Sequence, residues 1–283
     1  MTEHFQAIKK EGGKQCGTYF SLKYFHDQNT HSEGFEDIAT FCPDLSTIFL
    51  DTPEKEVLRL IPTFQCAKKL KFNKIEYEEL LEILKKTNNK ITSLDLVTCS
   101  GSLDIGGLSK MCPNLLNLEI YYSKHVISKS PVKFLNVRKI VIYGTDISSD
   151  AANDILENSP NVEHLTLNSA STLDYNRLLN ILNRGSLAKV AELAIMSAPC
   201  LDLQCLELLI EKLPELQIVG RLEGWKVTSS QLEDLRKRVK RENYDLTLWY
   251  NLPLRRVWHG PGYLRFVKHC LDLLTALSNL INL

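Results

Sequence analysis

The sequence predicts an α/β fold, a solenoid with a parallel β-sheet on one face and helices on the other. Three observations predict it. An aliphatic triplet of fixed internal spacing returns along most of the chain, each return reads as a short strand, and helix-like periodicity fills the intervals.

The triplet follows L-x-x-L-x-L, with an aliphatic residue at each marked place. It is satisfied by Ile91, Leu94 and Leu96; Leu115, Leu118 and Ile120; Val137, Ile140 and Ile142; Val162, Leu165 and Leu167; and Val190, Leu193 and Ile195. An earlier match uses Leu45, Ile48 and Leu50, and a weaker one Ala67, Leu70 and Phe72. A degraded eighth begins at Leu216, where Val219 fits and Arg221 does not. Counting from the first residue of each triplet, the spacings are 22, 24, 24, 22, 25, 28 and 26, within the range of leucine-rich repeats.

Strand geometry gives the triplet its meaning, because its last two members point to one side and the residue between them to the other. Helical spacing with start signals occupies residues 32–41, 77–86, 148–158, 175–183, 203–212 and 229–241. At the third of these, Ser148 is a helix cap whose following turns carry Ile155 and Leu156 back toward the strands. One unit buries three to five aliphatic side chains worth roughly 1.5–3 kcal/mol each. Ordering some two dozen residues costs about 1 kcal/mol or more apiece. The units must therefore stack into one horseshoe, with strands on the concave face and helices on the convex face.

These residues resemble the cysteine-containing leucine-rich repeats of F-box proteins. Cys42-Pro43-Asp44-Leu45 and Cys112-Pro113-Asn114-Leu115 match the start of that unit, Ser159-Pro160-Asn161-Val162 matches it with serine for cysteine, and Cys99 stands at its post-strand position. Segments 147–150 and 227–230 look like its helix-opening stretch. The resemblance spans about residues 32–250 and implies substrate recognition for an SCF-type ubiquitin ligase. The F-box itself is not visible. Residues 1–31 are too few and too polar to hold one, so contact with ligase subunits is expected only if an F-box is supplied upstream. A free-standing scaffold or inhibitor, unrelated to ubiquitin transfer, is the alternative.

Three segments are expected. Residues 1–31 form an N-terminal segment in which 18–25 read as a degenerate repeat or cap. Residues 32–250 hold about eight repeats and end in a terminal strand at 244–250, with Leu246 and Leu248 facing one side. Residues 251–283 form a tail, a cap or an amphipathic helix, interrupted by Pro253 and Gly260-Pro261-Gly262.

Charge and composition narrow the function. The 283 residues carry 34 Lys plus Arg and 34 Asp plus Glu, so a partner captured by bulk charge, such as duplex nucleic acid, is not expected. The basic run at 236–241 reads as a solvated helix face above a buried stripe of Leu232, Leu235 and Val239. Neither a secretory leader nor an apolar run of about 18 residues is apparent, so no membrane contact and an intracellular, cytoplasmic or nuclear, location with reduced thiols are expected.

Phosphate-loop, dinucleotide, zinc-protease and nucleophile-elbow motifs are absent from the sequence, and the expectation is a protein that is not an enzyme and takes no cofactor. Metal binding is not expected either. Cys16, His26 and His31 lack a fourth ligand, as do Cys200 and Cys205, whereas Cys42, Cys66, Cys99 and Cys112 suit small packed positions at turns.

The informative positions are those between core residues, which project onto the concave face in three columns. One holds Asp51, Asn73, Val97, Tyr121, Tyr143, Asn168 and Met196; the next Phe49, Lys71, Asp95, Glu119, Val141, Thr166 and Ala194; the third Thr47, Lys69, Ser93, Asn117, Lys139, His164 and Glu192. Tyr121 and Tyr143 are expected as exposed lateral neighbours beside Val97, Val141, Asn168 and Met196, rimmed by Glu119, Lys139 and His164. Together these nine form the candidate protein-binding patch, because tyrosine buries area while keeping a polar tip. Stacked tyrosines also stabilise a sheet by lateral pairing, so the pattern fits a structural role as well.

Overall fold

A computed structural model describes residues 22–28, 34–87, 89–242 and 244–250. Its strands are β1 (Tyr24–Gln28), β2 (Thr47–Asp51), β3 (Lys69–Asn73), β4 (Ser93–Val97), β5 (Ser102–Asp104), β6 (Asn117–Tyr121), β7 (His125–Ile127), β8 (Lys139–Tyr143), β9 (Asp146–Ile147), β10 (His164–Ser169), β11 (Glu192–Ser197), β12 (Ile218–Gly220) and β13 (Thr247–Leu248). The helices are α1 (Phe35–Phe41), α2 (Lys55–Leu60), α3 (Tyr77–Lys86), α4 (Ile105–Met111), α5 (Ser149–Glu157), α6 (Tyr175–Asn183), α7 (Leu203–Lys212) and α8 (Ser229–Arg241).

Ten strands form one parallel sheet in chain order, β1-β2-β3-β4-β6-β8-β10-β11-β12-β13. This is a leucine-rich-repeat-like parallel array. The pairing never slips: Thr47, Lys69, Ser93, Asn117, Lys139, His164, Glu192, Ile218 and Thr247 are successive partners. Every triplet residue from Leu45 to Val219 is buried in one continuous core with the inner faces of the helices. Ile155 and Leu156 are fully buried there, and Ser148 Oγ accepts from Ala151 N at 3.2 Å, as the cap requires. Thr228 makes a full capping box with Gln231 at the start of α8.

The cysteine signature has a local physical basis. Cys42 and Cys112 are the C-caps of α1 and α4, with φ/ψ of −121/62 and −121/63, and their carbonyls accept from Leu45 N and Leu115 N. A small buried side chain fits where the chain folds back under the next strand. Two positions later, Asn114, Asn136 and Asn161 each donate to a carbonyl of the preceding repeat, Asn89, Pro113 and Leu135 respectively. Asparagine there locks one repeat to the last. Cys66 lies out of step with Cys42 and Cys112, and it is exposed rather than packed at the turn.

The structure also differs from the sequence reading. The periodicity missed α2 and α4, each shorter than eight residues. The repeat between β6 and β8 has no helix; its segment 128–135 runs extended over α4, with Val132 and Phe134 buried. Gly106 makes this possible, since a Cβ there would lie 1.9 Å from Ser130 O. β5, β7 and β9 form a separate three-stranded parallel sheet beside the main one. The terminal strand is shorter than 244–250, reduced to β13, with Leu248 buried. At the other end β1 pairs in parallel with β2, and half of the expected strand at 18–25 lies outside the described residues. Residues 1–21 and the tail at 251–283 lie outside the described residues. No helix among the described residues is long and apolar enough to cross a membrane.

Candidate functional site

The nine predicted patch residues all lie on the sheet face turned away from the core, and the register brings Tyr121 opposite Tyr143. Their exposure differs from the expectation. Tyr121 is 1% exposed, and Val141 and Val97 are also buried, although none of the three belongs to the hydrophobic core. Tyr143, Asn168, Met196, Glu119, Lys139 and His164 are half-buried.

Electrostatic tethering accounts for part of this. Glu119 is held at both oxygens, by Lys139 Nζ at 2.7 Å on Oε1 and by the Tyr121 hydroxyl, which donates to Oε2. Burial and the Glu119 carboxylate both push the Tyr121 phenol well above its ordinary pKa. Tyr121 is thus a buried neutral donor tied to Glu119 of its own strand, not an exposed hot spot. The neighbouring strands β3 and β4 repeat the motif in the column of Glu119: Lys71 Nζ binds Asp95 Oδ2 at 2.6 Å, while Asp95 Oδ1 is buried without a hydrogen-bond partner. Desolvation outweighs the pull of Lys71 and raises the Asp95 pKa to about 6.

The exposed aromatic beside Tyr143 is Tyr122, which the columns did not include. Its ring meets Tyr143 edge-on, with centroids 5.9 Å apart at 88°. Backbone geometry puts it there. Thr52, Lys74, Thr98 and Tyr122, each following its strand, have φ of 50, 56, 55 and 51°, and the equivalent Gly144 has 61°. The amides of the first four donate to the carbonyls of Asn73, Val97, Tyr121 and Tyr143, which extends the strand ladder through a left-handed turn. At Gly144 a Cβ would sit 2.6 Å from the Tyr122 ring, so the absent side chain makes room for the tyrosine. Glycine usually signals such a turn, and four of the five positions carry other residues, which hid the pattern.

Arg221, the residue that broke the eighth triplet, completes this edge. The chain turns left-handed at Arg221 (φ 64), Leu222 fills the core instead, and the guanidinium carbon lies 5.9 Å from the Tyr143 ring centroid. Glu223 Oε1 pairs with Arg221 Nη1 at 3.4 Å. Asn168 accepts from Gly144 N at 3.2 Å. On the far side of the face, Asp51 Oδ1 accepts from Asn73, and Asn73 Oδ1 accepts from Thr98, so the same edge is polar over β2 to β4 and aromatic over β6 to β8.

Elsewhere, His26 stacks on Phe49 with centroids 4.1 Å apart; Cys16 and His31 lie outside the described residues. Cys200 is exposed and Cys205 buried, and among the described residues no three His, Cys, Asp or Glu side chains cluster as metal ligands. Burial lifts the thiols of Cys99 and Cys112 to about 12 and Cys205 to about 11, so they are poor thiolates. On α8, Leu232, Leu235 and Val239 are buried as expected, and the basic run is largely paired: Arg238 with Glu207 at 2.8 Å, Lys237 with Asp234, and Arg236 on the Leu248 carbonyl.

No family model and no curated protein matches the chain. Among solved structures it is similar to a chain in the "Crystal structure of Rad7 and Elc1 complex in yeast", at 14% identity and a TM-score of 0.38 over 88% of this chain and 87% of that one.

Proposed function

We propose that this chain is a non-enzymatic protein-recognition horseshoe whose sheet face, on the concave side, holds a protein partner. The role implied by its cysteine-containing repeats is substrate recognition for an SCF-type ubiquitin ligase. The observation that carries the reading is the unbroken register of the ten-stranded sheet, which displays three columns of mixed side chains beside the Tyr122–Tyr143–Arg221 edge. Aromatic rings and an arginine on a rigid platform are the composition of an interface centre. Complementarity of shape and charge would capture the partner, with any covalent step left to other subunits.

The test is paired. Tyr122→Ala combined with Tyr143→Ala, in a chain whose circular dichroism is unchanged, should abolish capture of the partner that the wild type retains. Unchanged capture rejects the face. Pull-down of the ligase adaptor by the chain with an F-box supplied upstream, scored for ubiquitin transfer to the captured partner, then separates the ligase role from a free-standing scaffold, which would hold its partner without promoting transfer.

A further inference from the structure

Strand β3 carries the sequence Lys69-Leu-Lys71-Phe-Asn73 and is followed by Lys74. Lys69 and Lys71 project onto the sheet face, and the left-handed turn at Lys74 sets that lysine on its edge. Lys71 is satisfied by Asp95. Lys69 and Lys74 are exposed, and among the described residues neither has an ion-pair partner. The register explains why: Lys69 stands between Thr47 and Ser93, neither of which is an acid. Elsewhere on this face Lys71 pairs with Asp95 and Lys139 with Glu119, while Asp51, opposite Asn73, is held by the Asn73 amide and the Thr52 hydroxyl. With the other lysines of this face held in ion pairs and Asp51 engaged by neutral donors, Lys69 and Lys74 make β3 the part of the face most open to an acidic group.

Resting on the protein-recognition reading above, we propose that the sheet face takes an extended acidic segment of a protein partner. Its Asp or Glu side chains seat over Lys69 and Lys74, and an apolar side chain seats on Tyr122 and Tyr143. β3 and β8 are separated by three strand spacings, about 14 Å. An extended chain advances about 3.3 Å per residue, so an acid over Lys74, at the same strand end as Tyr143, stands about four positions from the apolar residue, and an acid over Lys69, in register with Lys139, about six. A nucleic-acid strand fits less well. It bears a charge at every residue and would meet Asp95 and Glu119 between the two ends, whereas a peptide can confine its acids to β3. The aromatic ring nearest the lysines, Phe49, is already engaged by His26 and by Lys71 Nζ at 5.2 Å from its centroid, which leaves a base little to stack on.

The experiment is display selection of a random 12-residue peptide library on the full chain, with single-stranded oligothymidine as competitor. Selected peptides should be enriched in Asp and Glu about four to six positions from an aromatic or aliphatic residue. They should bind at least tenfold more weakly to the Lys69→Glu, Lys74→Glu variant and lose affinity steeply with salt. Absence of acidic enrichment, equal binding by the variant, or displacement by oligothymidine at lower concentration than by acidic peptide overturns the inference. Peptides that lack acids yet depend on Tyr143 would overturn it while leaving the protein-recognition reading intact.

Discussion

Asp95 stands directly opposite Glu119 in the register of β4 and β6, and only one of its two carboxylate oxygens has a partner. The two acids are balanced unequally. Glu119 has Lys139 and the Tyr121 hydroxyl, whereas Asp95 has Lys71 alone and a buried, unpaired Oδ1.

This asymmetry fixes a pH dependence. The folded-state pKa of Asp95 is raised from 3.8 to about 6, so the fold binds a proton that the unfolded chain has released. The Asp95 contribution to stability is therefore greatest at low pH and is lost as pH rises through about 4 to 6, to the extent of roughly 3 kcal/mol. Urea melts of the wild type and Asp95→Asn should show the wild type losing stability relative to the variant across that window, with a constant difference above it. A difference independent of pH would refute the assignment.

Burial separates the tyrosines. Tyr121→Ala removes a fully buried ring and should lower stability by about 3–5 kcal/mol, whereas Tyr122→Ala, at a site 39% exposed, should change it by about 1 kcal/mol or less. Thermal denaturation distinguishes the two, and only the second variant is a clean probe of binding.

Ser159 occupies the turn position held elsewhere by Cys42 and Cys112, yet its hydroxyl is buried with no hydrogen-bond partner. Cysteine carries less desolvation penalty there, so Ser159→Cys should stabilise the fold by about 1 kcal/mol. A lowered melting temperature would count against this account of the signature.

Gly224 lies against β11 so closely that a Cβ would stand 1.5 Å from Met196 O, and Trp225 Nε1 donates to Ile195 O at 2.8 Å beside it. Gly224→Ala should cost about 1–3 kcal/mol by overpacking and loosen the turn that carries Arg221. The expected readout is a lower melting temperature together with altered tryptophan fluorescence.

The array was legible because a period of about two dozen residues leaves the same aliphatic triplet in every strand, and a parallel register adds no freedom to it. Helices α3, α6, α7 and α8 were legible to the residue because each shows a full amphipathic stripe. The helix-less repeat was not, since Val132 and Phe134 bury themselves from extended chain with alternation too brief to notice. At the site, the columns were correct in position but the expected exposure of Tyr121 was wrong, because its hydroxyl is drawn onto Glu119, itself held by Lys139, and the ring is buried. Tyr122 escaped notice because a left-handed residue outside the strand has no periodic mark, and Arg221 looked like a broken repeat when it is the residue that reaches Tyr143.

The central claim, that the sheet face and not the helix face holds the partner, is tested most directly by site-specific photo-crosslinking. A benzophenone side chain at position 143, on the sheet face, is compared with one at position 237, on the exposed side of α8. The account predicts a protein adduct from position 143 and none from position 237. An adduct from position 237 alone would contradict it.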